Sequence, residues 1–176
     1  MLDVMSERKL KVIVISGSIN SGKTTTSKHL VKHLVENSVK TAHVHGDSLR
    51  HFVTWQDLEK TIPITHKNIC TVAKNFLQDD YDVVIDYPFY KDDFESLCYY
   101  LDDFTDAIYA FVLSPSLDVA QSQRGARVLS QHEIDRIAYH YQTNLHNPDF
   151  GITIDNSMLD VEETVALILT YVNHTV

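Results

Sequence analysis

Apolar positions along the chain follow two alternating patterns. Val12-Ile13-Val14-Ile15 is a short, β-branched, unbroken apolar run ending at Ser16-Gly17, which reads as a strand buried on both faces of a parallel sheet. From Gly22 to Asn37 the pattern changes. Leu30, Val31, Leu34 and Val35 recur at helical spacing among Lys28, Lys32 and His33, as on an amphipathic helix, and Asn37-Ser38 supplies its end. Thr41 to His45 is a shorter second strand, and Gly46-Asp47-Ser48 is a turn with helix N-cap chemistry. Helical spacing is weak from Leu49 to Lys60, and Ile62-Pro63-Ile64-Thr65 predicts a break before a helix from about His66 to Leu77. Val83-Val84-Ile85 repeats the buried-strand pattern and ends in Asp86-Tyr87-Pro88, followed by a helix with Phe94, Leu97, Cys98 and Leu101 on one side. Ala107 to Leu113 is the fourth strand, ended by Ser114-Pro115-Ser116, where proline suits the first turn of a helix. Leu117 to Asn144 reads as largely helical with an interruption near Gly125. Gly151 to Ile154 is the fifth strand, followed by Asp155-Asn156-Ser157 and a helix from about Asp160 to Val172. Strands alternating with helices predict an α/β fold with a parallel sheet covered on both faces. The 176 residues show no repeat or linker and fit one domain, 1–176.

Composition narrows the function. Apolar residues make up 44% of the chain and charged residues 22%, as expected of an ordinary globular protein. The formal charge is −9 and no long basic run offsets it, so a nucleic-acid partner would meet net repulsion. A single nucleotide held by one local cluster escapes that argument. Cys70 and Cys98 stand far apart and read as small buried hydrophobes in a reducing compartment. Met1 to Arg8 has no charged-then-apolar signal pattern, and no apolar run approaches the ~18 residues of a membrane span. The expected location is the cytoplasm, with no membrane partner. His43 and His45 would share one strand face, and His29 and His33 lie one helical turn apart. Neither pair has a neighbouring cysteine or carboxylate at a usual zinc spacing, so no transition-metal site is expected. Tyr87, Phe89, Tyr90, Phe94, Tyr99 and Tyr100 read mainly as core and helix face.

The chemistry is concentrated in Gly17-Ser18-Ile19-Asn20-Ser21-Gly22-Lys23-Thr24, which satisfies G-x-x-x-x-G-K-[ST] at every fixed position. An apolar strand precedes it and an amphipathic helix follows. Glycines let the backbone turn tightly, so that successive N–H groups point at phosphate oxygens. The helix start adds its positive dipole end. Lys23 can reach the β- and γ-phosphates, the Thr24 hydroxyl can ligate Mg2+, and Thr25 stands beside it. The cofactors expected are therefore ATP and Mg2+.

No Asn-Lys-x-Asp tetrapeptide of guanine-reading switch proteins occurs. From about Lys11 to Leu169 the chain resembles the small P-loop kinases, a group that includes adenylylsulfate kinase, chloramphenicol phosphotransferase, gluconate and shikimate kinases and the kinase domain of polynucleotide kinases. The resemblance implies a three-layer α/β/α P-loop NTPase with a five-stranded parallel sheet of order 2-3-1-4-5. His45-Gly46-Asp47-Ser48-Leu49-Arg50-His51 looks like the Gly-Asp-x-x-Arg segment of adenylylsulfate kinase, and an Asp at the matching place is the general base in chloramphenicol phosphotransferase. Asp47 is thus a candidate base, or else a helix cap. Arg50 would hold the acceptor or lie at the surface. Val83 to Pro88 resembles the strand whose terminal acid holds Mg2+ through water, which points to Asp86, unless that residue only caps the next helix. Phe89 stands where nucleotide monophosphate kinases carry an arginine, and Lys91 is the nearest replacement charge. Tyr87 and Phe89 follow a strand end and can line an acceptor pocket. Gln123-Arg124-Gly125-Ala126-Arg127 resembles the arginine-bearing lid of related kinases, here at about 121–135. On a helix Arg124 and Arg127 would share one face and could close over the γ-phosphate, unless both are simply solvated. Arg136 is a weaker candidate. Ile152 to Ser157 resembles the strand and loop that border adenine.

The expected activity is transfer of the γ-phosphoryl group of ATP to a hydroxyl of a small-molecule acceptor by a monomer or homodimer. The alternatives are a nucleoside or nucleotide kinase, an ATP-binding regulatory module without transfer, or a toxin-like kinase of sugar nucleotides. The acceptor is not legible, because acceptor pockets in this group are built from loops that vary freely. Lys23→Ala is expected to abolish ATP binding in calorimetry; unchanged affinity would remove the phosphate-loop assignment.

Overall fold

Each apolar run becomes a strand in the computed structural model, which describes residues 9–53, 57–124 and 128–173. The strands are β1 (Lys11–Gly17), β2 (Thr41–His45), β3 (Asp82–Asp86), β4 (Ala107–Leu113) and β5 (Ile152–Ile154). They form one five-stranded sheet of order β2-β3-β1-β4-β5, parallel throughout. The helices are α1 (Lys23–Glu36), α2 (Gly46–Arg50), α3 (Leu58–Gln78), α4 (Lys91–Leu101), α5 (Leu117–Gln121), α6 (Gln131–Gln142) and α7 (Val161–Asn173). The fold is the three-layer α/β/α arrangement expected.

Alternation along the strands builds two cores. Val12 and Val14 of β1 join Val83 and Ile85 of β3 beneath Ile69, Ala73 and Leu77 of α3 and Leu97 and Leu101 of α4. Ile13 and Ile15 face the other way, joining Phe111 and Leu113 of β4 with Leu30 and Leu34 of α1 and Ile168 and Val172 of α7. Each fully buried side chain of this size contributes ~1.5–3 kcal/mol, and β1, covered on both faces, anchors both layers.

Helix α3 departs from the expected break, because it runs through Pro63. Proline forfeits the bond to the carbonyl four residues back and crowds it, at ~3 kcal/mol in a helix interior. A stripe at spacing four offsets this cost: Thr61, Thr65, Ile69, Ala73 and Leu77 are all buried. The Thr65 hydroxyl also donates to the Thr61 carbonyl at 2.8 Å. The stretch after β4 is less helical than expected. Helix α5 ends at Gln121, where the Asn20 amide donates to the carbonyls of Ala120 (2.8 Å) and Ser122 (3.0 Å). Helix α6 restarts only at a capping box. Glu133 N–H donates to Ser130 Oγ at 3.3 Å, and Ser130 N–H donates to Glu133 Oε2 at 2.9 Å.

The aromatic cluster also splits. Phe89 is buried, whereas Tyr99 is 89% exposed and Tyr90 and Tyr100 are partly so. Cys70 and Cys98 are free thiols only half-buried, and burial pushes the Cys70 thiol up to about 11. Among the described residues no helix is long and apolar enough to cross a membrane.

Ile69 is fully buried between α3 and the sheet. Ile69→Ala is expected to cost ~2–5 kcal/mol, read as a lowered urea midpoint; a midpoint equal to wild type would show that this core is looser than described.

Candidate active site

The turn from β1 into α1 demands its glycines. Gly17 has φ +133°, and a Cβ there would lie 2.3 Å from the Leu113 carbonyl oxygen. Gly22 has φ +98° and serves as the N-cap of α1, so no side chain caps that helix, and no acid occupies its first turn. Amides at an uncapped helix start are donors in search of an anion. Asn20 holds φ +60°, secured by its two amide bonds to the end of α5. Lys23 arches over the loop and donates to the Ser18 carbonyl at 2.6 Å.

Ile19, Asn20, Gly22, Lys23, Thr24 and Thr25 line a cleft of about 890 Å3. Gly17, Ser18 and Ser21 lie behind it, buried, and shape the loop. The Ile19 amide is turned to a partner, donating to His140 Nδ1 at 3.4 Å. The cleft runs along the C-terminal ends of the strands, where open parallel sheets bind ligands.

Asp86 ends β3, opposite Ile15 of β1 and His45 of β2, and is 2% exposed. His45 donates from Nδ1 to Asp86 Oδ1 at 2.8 Å, and His43 from Nε2 to the same oxygen at 3.1 Å. The Oδ2 atom is buried without a protein partner. Burial opposes the charge, but the neighbouring His43, Thr24 and His45 outweigh it and hold the carboxyl below its usual range. Asp86 does not cap the following helix, whose N-cap is Tyr90. An ionised carboxylate with one open oxygen, next to the Thr24 hydroxyl and the phosphate loop, is a donor set that fits Mg2+.

Asp47 lies inside the first turn of α2, whose N-cap is His45, and makes no capping bond. Its partner is Arg50, with the Arg50 guanidinium 3.8 Å from Oδ1, and both line the cleft. Gly46 lets this turn pass over Tyr87, where a Cβ would sit 2.4 Å from the ring. Tyr87 lines the cleft, and burial pushes its hydroxyl up to about 12. Phe89 does not share that role. At 1% exposed it is core, because its N–H donates to Ser16 Oγ at 3.0 Å and draws the residue under the sheet end. Lys91 points elsewhere, pairing with Asp149 at 2.7 Å on the exposed surface. Arg124 reaches the loop, its guanidinium donating to the carbonyls of Asn20 (3.3 Å) and Ser21 (3.2 Å). It lies between α5 and α6 rather than on a helix; Arg127, with which a shared helical face was expected, lies outside the described residues.

Several residues with little or no sequence signal join the cleft. His66 stacks on Phe89 (5.4 Å between centroids) and meets Tyr87 edge-on (5.3 Å). Its Nδ1 donates to Asp93 Oδ1 at 2.9 Å, and its Nε2 is buried without a protein partner. Arg136 and His140 enter from α6. Asn156, after β5, donates to the Ser21 carbonyl at 2.9 Å. Its place after a strand end is legible in the sequence, whereas His66 is hidden because Pro63 makes α3 look as if it starts later than it does.

The description of adenylylsulphate kinase fits residues 9–86 as a family match, which covers the phosphate loop, Asp47 and Asp86 and less than half of the chain. No curated protein matches the sequence. By fold the chain is similar to Mycobacterium tuberculosis APS kinase in complex with AMPPNP and APS, with a TM-score of 0.71 and 11% identity over 94% of this chain and 98% of that one. It is also similar to hexameric APS kinase from Thiobacillus denitrificans (TM-score 0.63, 15% identity, 96% of this chain and 29% of that one). A chain of the Pnkp1/Rnl/Hen1 RNA repair complex is similar too (TM-score 0.59, 14% identity, 86% of this chain and 50% of that one). The chain thus has the fold of the P-loop kinase group.

Burial, then the charges of Arg136 and Lys23, press the His140 imidazole down to about 4, against an ordinary value of about 6.5. The unfolded chain therefore takes up this proton first, and its contribution to stability falls as pH drops through that window, levelling below about 4. His140→Asn keeps an acceptor for the Ile19 amide without a titrating ring. Thermal melts between about pH 7 and pH 4 are expected to decline less in the variant; parallel declines would contradict a buried neutral His140.

Proposed function

We propose that this protein is an ATP-dependent phosphotransferase that moves the γ-phosphoryl group of MgATP to a hydroxyl of a small-molecule acceptor. The observation that carries this reading is that a carboxylate free of any capping duty, Asp47, opens into the same cleft as the phosphate loop. A module that only binds nucleotide has no use for it.

In this reading the amides at the start of α1 and the Lys23 ammonium hold the phosphates. Thr24 and Asp86 hold Mg2+, which when bound neutralises charge on the phosphate oxygens. The Asp47 carboxylate accepts the proton of the acceptor hydroxyl and aims its oxygen at the γ-phosphorus. Arg50, beside it, orients the acceptor, and Tyr87 forms the wall. Arg124 exchanges its loop carbonyls for phosphate oxygens, since a guanidinium bonds a phosphate more strongly than neutral carbonyls. Arg127, three residues on, is the second candidate for that charge. Asn156 and the start of α7 border the base.

The acceptor is a small molecule rather than a nucleic acid, supported by the net charge of −9. A nucleotide monophosphate acceptor is disfavoured because Phe89, in place of the arginine, is buried in the core.

The test is ADP formation from MgATP in the presence of pooled hydroxyl-bearing metabolites. Turnover that depends on an acceptor is expected, and slow hydrolysis indifferent to every pool would favour binding without transfer. Asp47→Asn is expected to keep ATP affinity and lose ~10²–10⁴-fold in turnover; full activity in that variant would take Asp47 out of the mechanism.

A further inference from the structure

We infer that His43 and His45 are positioning residues that fix which oxygen of Asp86 faces the nucleotide's metal ion. The inference rests on the reading that Asp86 serves MgATP, and it goes beyond that reading by adding two residues that touch neither nucleotide nor acceptor.

Strand β2 alternates. Ala42 and Val44 are buried, while His43 and His45 point to the opposite face and are only partly covered. In register His45 lies opposite Asp86, and His43 lies opposite Val84. The two rings therefore approach the carboxylate from different distances along the strand, and each uses a different nitrogen. His45, directly across, reaches with the near atom Nδ1 at 2.8 Å. His43, two residues back, reaches with the far atom Nε2 at 3.1 Å. The ring centroids stay 6.1 Å apart, yet both rings converge on Oδ1.

An aspartate carboxylate turns about a broad, two-fold torsion that exchanges its oxygens. An oxygen accepting two N–H bonds has used both lone pairs, so Oδ1 is saturated and Oδ2 is the oxygen left open. Oδ2 is the buried atom without a protein partner. Satisfying a buried carboxylate needs donors somewhere, but it does not need both on one oxygen. Loading them on Oδ1 holds the turn and presents Oδ2 as a fixed acceptor. Partners of this kind, bonded to a metal-holding group, typically change metal affinity by ~10–100-fold when lost.

The experiment compares wild type, the pair His43→Ala with His45→Ala, and the pair His43→Gln with His45→Asn. In the amide pair the longer side chain places its nitrogen near the Nε2 of the imidazole it replaces, and the shorter one near Nδ1. Mn2+ binding is followed by electron paramagnetic resonance in the presence of a non-hydrolysable ATP analogue. The alanine pair is expected to weaken Mn2+ binding ~10–100-fold with metal-free nucleotide affinity unchanged, and the amide pair to recover most of the loss. In wild type, nitrogen-15 NMR is expected to place protons on His43 Nε2 and His45 Nδ1, a readout that needs no variant to fold. Wild-type Mn2+ binding that the alanine pair leaves unchanged would overturn this inference alone. So would amides that restore the unfolding midpoint but not Mn2+ affinity, or protons on the other ring nitrogens. No Mn2+ binding by the wild-type nucleotide complex would overturn the inference and the reading of Asp86 together.

Discussion

The first turn of α1 leaves backbone N–H groups without partners inside the helix, and here they open into a cleft rather than into bulk water. Gly22 brings no capping side chain, and no acid stands in the first turn to neutralise the dipole. The arrangement is one that favours an anion. Lys23 and Arg124 add cations beside the turn, and each is parked on a loop carbonyl, of Ser18 for Lys23 and of Asn20 and Ser21 for Arg124. Both partners are neutral acceptors, so phosphate oxygens can displace them at a net gain. The loop is thus held in its receiving shape before anything is bound, which reduces the ordering cost of binding.

The sheet supplies the rest of the site through topology. Strand β1 is central and buried on both faces, so the loop it feeds cannot shift without disturbing both cores. Its neighbour β3 places Asp86 beside Thr24, and β2 delivers Asp47 one strand further out. On the other side β4 and β5 lead to Arg124 and Asn156. Asp47 and Asp86 therefore lie on one flank of the phosphate loop, and the flank toward β5 carries Asn156, Leu159, Asp160, Val161 and Thr164. A nucleotide laid across the loop would place its terminal phosphate toward Asp47 and Asp86 and its base toward Asn156.

Much of this was legible because strands buried on both faces leave unbroken apolar runs, and because the phosphate loop needs particular residues at fixed spacing. Val12 to Ile15 and Val83 to Ile85 are read without ambiguity, and Asp47 and Asp86 follow from their places at strand ends. What was not legible depends on contacts between distant residues. Pro63 looks like a break unless one knows that a stripe from Thr61 to Leu77 is buried behind it. His43 and His45 could be placed on one face, but the carboxylate they share is about forty residues away, so no local spacing reveals it. Phe89 and Tyr87 differ in role because one backbone amide bonds Ser16, a detail that residue type does not encode.

The net charge of −9 and a site built for phosphates are reconciled by distance. At physiological ionic strength charges on the exposed surface are screened over ~8 Å, so acids on outer helices do little inside the cleft. The field at the phosphate loop comes chiefly from Lys23 and Arg124, which bond it, while Arg50 and Arg136 share the cleft with Asp47, Asp93, Glu133 and Asp160. His140 reports its sign, since after burial the charges of Arg136 and Lys23 are what keep this imidazole from taking up a proton. A small anion that reaches the loop meets Lys23, Arg124 and the open amides of α1. A long polyanion would have to lie across the acidic exterior as well, and the same chain that receives nucleotide phosphates would repel it.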